Sequence, residues 1–81
     1  MEDLRWMERY GNLSGDSGVT HSEIGTDFIV VQFRRGEPYV YDYSTTGAAH
    51  VDRMKQLAIT GRGLGTYISQ NVHNAYARKG R

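Results

Sequence analysis

Phe28-Ile29-Val30-Val31-Gln32-Phe33-Arg34-Arg35-Gly36-Glu37-Pro38-Tyr39-Val40-Tyr41-Asp42-Tyr43 is the stretch that decides the fold. Two runs rich in β-branched and aromatic residues flank a short Gly/Pro segment, the pattern of a β-hairpin. The first run, residues 28–34, is apolar on both faces over much of its length and predicts a central strand of an antiparallel meander. The second runs from Tyr39 to Tyr43, and Pro38, which has no N–H to donate, suits the start of a strand or a sheet edge. Alternation along a strand points Tyr39, Tyr41 and Tyr43 to one side. Such a row is either the wall of a core or a platform for a ligand. Facing inward, it completes a core with Ile29, Val31 and Phe33 and leaves its hydroxyls at the rim. Facing outward, each ring stacks a nucleobase for about 1–3 kcal/mol.

Working outward, Val19-Thr20-His21-Ser22 reads as a weaker first strand, ended by the turn-prone Glu23-Ile24-Gly25-Thr26-Asp27. Beyond the hairpin, Ser44-Thr45-Thr46-Gly47 offers hydroxyl caps for a helix from about Ala48 to Ile59. Val51, Met54 and Leu57/Ala58 form its apolar stripe. Thr60-Gly61-Arg62-Gly63 breaks it, and a second helix from Leu64 to Ala77 places Leu64, Ile68, Val72 and Ala75 at helical spacing. The order implies an α+β fold, a three-stranded antiparallel β-meander packed by two C-terminal helices. Residues 3–10 have the spacing of two helical turns. The expected organisation is an N-terminal appendage and flexible connector over 1–16, one domain over 17–77, and a frayed basic tail over 78–81.

The composition narrows the chemistry. A chain of 81 residues buries roughly 60–65% of its unfolded surface, so most large apolar side chains are needed for packing. Absence of cysteine removes disulfides, thiolate metal sites and cysteine nucleophiles, and fits a cytoplasmic location. No apolar run approaches the roughly 20 residues of a membrane span, and the charged opening Met1-Glu2-Asp3-Leu4-Arg5-Trp6 reads as a mature N-terminus. The net charge of +1 lacks the footprint of a typical DNA binder, so any nucleic-acid reading rests on local clusters of cations.

Few motifs carry chemistry. Gly15-Asp16-Ser17-Gly18 resembles the tetrapeptide around a trypsin-like nucleophile, but that serine needs a two-barrel scaffold several times longer than this chain, and a Gly/Ser turn is the expectation. Asn12-Leu13-Ser14 matches a glycosylation sequon, which carries no weight without a secretion signal. Gly61-Arg62-Gly63-Leu64-Gly65-Thr66 opens a helix without the Gly-Lys-Ser/Thr of a P-loop, and either reverses the chain or holds an anion with Arg62. His21, His50 and His73 show no metal-ligand spacing. Arg34, Arg35 and Arg62 are either scattered on a solvated surface or converge at one edge as a phosphate-binding patch.

Taken in order, Val31-x-Phe33-x-x-Gly36-x-x-Tyr39-Val40-Tyr41-x-Tyr43, a helix, and then Gly65-Thr66-Tyr67-Ile68 with Val72 following resemble the KTSC domain family. That small domain occurs at the C-terminus of some lysyl-tRNA synthetases and as stand-alone bacterial proteins. Its pattern has a Val-x-Phe strand, a hairpin glycine, a central Tyr-x-Tyr and a Lys-Gly-Arg-Tyr-Phe-Asn segment opening a final helix. The match runs from about Ser17 to Tyr76, with Leu64 and Thr66 standing at the family's two basic positions in the last segment. The resemblance implies a function that is unassigned in the family, with RNA binding proposed from the synthetase link.

The expectation is therefore a non-catalytic binding module with no cofactor and no metal, and RNA as its ligand. Phosphates would meet Arg34, Arg35 and Arg62, and bases would meet Tyr41, Tyr43 or whichever tyrosines are exposed. The alternative is a protein-interaction or self-assembly module that uses Leu4, Trp6 and Met7 as anchors, since aromatic residues and Met favour interface cores.

Overall fold

The computed structural model describes residues 8–11 and 18–80. The expected anchors Leu4, Trp6 and Met7, the sequon and most of the Gly15–Gly18 turn lie outside the described residues. The chain forms an α+β fold around one antiparallel sheet of five strands in the order β1-β2-β3-β4-β5. The strands are β1 (Glu8–Arg9), β2 (Val19–Ile24), β3 (Phe28–Phe33), β4 (Tyr39–Asp42) and β5 (Arg78–Lys79). Three helical segments follow β4: α1 (Tyr43–Thr46), α2 (Ala48–Thr60) and α3 (Leu64–Tyr67), which runs directly into a π-helical turn, Ile68–Val72.

The hairpin and meander stand where expected, with Ile29 opposite Tyr41 and Val31 opposite Tyr39. Gly25 closes the β2–β3 turn through its N–H on the Phe28 carbonyl, 2.9 Å. A Cβ at Gly25 would sit 2.0 Å from the Phe28 ring, so any larger residue there must displace that ring. The helix face of the sheet supplies Val19, Ile29, Val31 and Tyr41, which pack with Val51, Met54, Leu64, Ile68 and Val72. Val51 and Met54 are fully buried, as the stripe on α2 requires. The opposite face carries a smaller cluster, Val30 and Val40 with half-buried Phe28.

Five strands replace the expected three because both outlying segments pair with the sheet. Glu8 and Arg9 pair with Ser22 and His21, so this end of the expected helix over 3–10 is a strand. Tyr10 is buried, and its hydroxyl accepts from the Leu64 N–H at 3.0 Å. The segment read as an appendage thus contributes to the core. At the other end the last helix stops at Val72 instead of Ala77. The Ala77 N–H donates to the Val40 carbonyl at 2.7 Å and draws the chain back to the sheet. Arg78 and Lys79, read as a frayed tail, pair with Val40 and Tyr39.

Tyr43 leaves the expected tyrosine row for a specific reason. Asp42 is extended and accepts the Thr45 N–H at 2.8 Å, an N-cap that starts α1 at Tyr43. Ser44, Thr45 and Thr46 are therefore helical residues and not caps of α2, whose N-cap, Gly47, makes no side-chain hydrogen bond. Gly61, left-handed at φ 82°, ends α2 with its N–H on the Leu57 carbonyl.

Candidate functional site

The end of the sheet at the β3–β4 hairpin meets α3 and its π-turn across a cleft of about 250 Å³. Phe33, Tyr39, Tyr41 and Ile68 give it apolar walls, and Arg35, Ser69 and His73 add polar groups. The hairpin is stitched by the Gln32 side-chain amide, which donates to the Phe33 and Gly36 carbonyls at 2.9 and 3.1 Å. The Arg34 N–H donates to the Gly18 carbonyl at 2.7 Å, which fixes where the hairpin turn begins. Ser69 lies in the π-turn and His73 directly follows it. π-Turns are rare and recur at functional sites. Both residues line the cleft without a hydrogen bond between them.

The rings are held in a fixed array. Tyr39 stacks on Tyr41 with centroids 6.4 Å apart and planes 15° from parallel. Phe33 and Tyr76 meet Tyr39 edge-on at 5.5 and 4.8 Å. Lys79 places its Nζ over the Tyr39 ring, 5.9 Å from the centroid. Tyr41 is 1% exposed, and burial, with Tyr39 and Tyr76 alongside, pushes its phenol well above the ordinary 10.0.

The five residues singled out in sequence separate accordingly. Arg35 lines the cleft, and Arg34 is exposed on the same hairpin turn. Tyr41 is part of the core, so its ring has no free face on which to stack a base. Tyr43 sits beyond the strand end with Lys55 5.0 Å from its ring centroid, and its hydroxyl bonds Asp52 and Lys55. Arg62 lies on a separate groove beside Arg53, Leu57 and Ile59. The three arginines therefore do not form one patch. At the loop glycines, one of the helix-start donors, the Leu64 N–H, is taken by the Tyr10 hydroxyl.

Sequence reasoning missed Ser69, His73, Tyr76 and Lys79. Ser69 and His73 are four apart, so they share a helix face, and this spacing was a usable signal. Tyr76 and Lys79 acquire their roles only through β5 pairing. Lys55 pairs with Asp52 at 3.9 Å, whereas neither Arg35 nor Lys79 has a carboxylate partner among the described residues. Also among the described residues, no three His, Cys, Asp or Glu gather around a point, and no helix is long and apolar enough to cross a membrane.

No protein-family model, curated protein or solved structure matches the chain.

Proposed function

We propose that this protein is a small, non-catalytic RNA-binding module of the KTSC type, working in the cytoplasm. The observation that carries the reading is the meeting of unpaired cations and aromatic rings at one end of the sheet. Arg35 flanks Phe33 and Tyr39 in the cleft, Lys79 lies over Tyr39, and Arg34 is exposed on the adjoining turn. Cations that track a phosphate backbone beside aromatic rings are the common arrangement for single-stranded nucleic acid. With a net charge of +1, such local clustering is the form an RNA site in this chain must take. The KTSC assignment is supported by the hairpin at Gly36 and by Tyr41-Asp42-Tyr43, the stretch where strand gives way to helix. The cytoplasmic setting is supported by the cysteine-free composition.

Filter binding or fluorescence anisotropy with mixed cellular RNA tests the proposal. Affinity is expected to fall steeply with salt, and Arg35→Ala is expected to reduce the salt slope by about one contact. Arg62→Ala, on its separate groove, is expected to leave both unchanged. Absence of RNA binding at low salt overturns the function.

A further inference from the structure

The cleft contains a polar group with no work to do inside the protein. Tyr41 is 1% exposed and lines the cleft, yet its hydroxyl bonds no described residue. The hydroxyl oxygen is not among the polar atoms sealed from solvent, so the little of Tyr41 that is open includes this oxygen, which stands ready to bond whatever enters the cleft. The group is also a dependable donor: its burial keeps the phenol protonated at any ordinary working pH. An acceptor that enters the cleft can take its hydrogen bond.

The surroundings restrict what brings that acceptor. At about 250 Å³ the cleft is smaller than the roughly 300–1,000 Å³ of sites for drug-sized ligands. Phe33, Tyr39 and Ile68 wall it with apolar surface, Gly65 contributes no side chain, and no carboxylate lines it. Ser69 and His73 offer further hydrogen-bonding groups at the rim, and Arg35 supplies a cation. One flat, heteroatom-bearing ring joined to an anion matches this set.

We propose that the cleft takes a single unpaired nucleobase of a bound RNA strand, with a base acceptor on the Tyr41 hydroxyl and the adjoining phosphate on Arg35. The inference rests on the RNA reading above and adds the mode of recognition. A paired base cannot enter, because its edge is engaged and it is stacked on both sides. Proteins that read RNA sequence correspondingly target single-stranded segments whose bases can be splayed out. Tyr41 thus acts through its hydroxyl while its ring remains in the core.

The test compares a fluorescent hexauridylate with an abasic ribose-phosphate hexamer of equal charge, at one salt concentration. Wild-type protein is expected to bind the hexauridylate about tenfold more tightly. Tyr41→Phe deletes only the oxygen, is expected to keep the wild-type melting temperature, and narrows the gap about three- to tenfold, the size of one hydrogen bond. Equal affinity for the two oligomers overturns base insertion and leaves backbone binding intact. So does a Tyr41→Phe variant that binds hexauridylate as the wild type does. Binding of neither oligomer overturns the RNA reading itself.

Discussion

Val40 and Tyr41 are neighbours on β4, yet they face opposite sides of the sheet and meet different company. Tyr41 is enclosed by the large cluster that joins the sheet to α2, α3 and the π-turn. Val40 is just as buried, but its cluster holds only Val30 and Phe28, and Asp27, Asp42 and Arg78 stand around it. The comparison teaches where a small domain can spare aromatic surface. A tyrosine in the middle of the helix face is committed to packing. Only at the end of the strands, where Tyr39 and Phe33 are half-buried, do rings reach a cleft.

The largest effect expected is that of Tyr41→Ala, which removes a buried ring from the main cluster and should cost about 3–5 kcal/mol, as truncation of buried aromatic rings does. Urea denaturation measures it. Val40→Ala, on the other face, removes two carbons at about 0.8 kcal/mol each and should cost about 1.5 kcal/mol. If the two variants unfold at the same denaturant concentration, the supposed inequality of the faces is wrong.

A smaller effect sharpens the boundary between strand and helix. The Thr45 N–H holds the Asp42 carboxyl below its ordinary value; desolvation opposes it, and the Thr45 and Ser44 side chains and the Arg78 charge add smaller lowering effects. A carboxylate with a lowered folded-state pKa stabilises fully above its unfolded value and loses that contribution as pH falls through the folded one. Asp42 therefore adds to acid sensitivity below about pH 4. Asp42→Asn keeps a capping side chain but cannot titrate, so thermal melts of the variant should depend less on pH in that window.

The same comparison explains what the sequence could announce. The β3–β4 hairpin, the α2 stripe and the Gly61 stop were legible because each is written in local pattern: β-branched alternation, helical spacing, a glycine free to turn left-handed. β1 and β5 were not, because Glu8-Arg9 and Arg78-Lys79 have no strand preference of their own and are extended only because a neighbour pairs with them. Tyr43 was misplaced because Asp42 satisfies both a strand pattern and a helix cap, and the Thr45 amide decides between them. Of the candidate site, Arg35 was legible as a hairpin cation. His73, Ser69 and Lys79 become neighbours of Tyr39 or its cleft only once the last helix crosses the sheet end and the chain doubles back.

The buried bond from the Leu64 amide to the Tyr10 hydroxyl has a consequence in time. It joins the first described strand to the start of α3, and the closure entropy of so long a stretch of chain places it among the later contacts to form. Its proton is then a clock for the docking of residues 8–10. Exchange of the Leu64 amide with deuterated solvent reports each departure of that segment, even when the rest of the sheet stays shut. In Tyr10→Phe the same amide is expected to exchange faster than the Val51 amide, whose hydrogen bond to the Gly47 carbonyl is local.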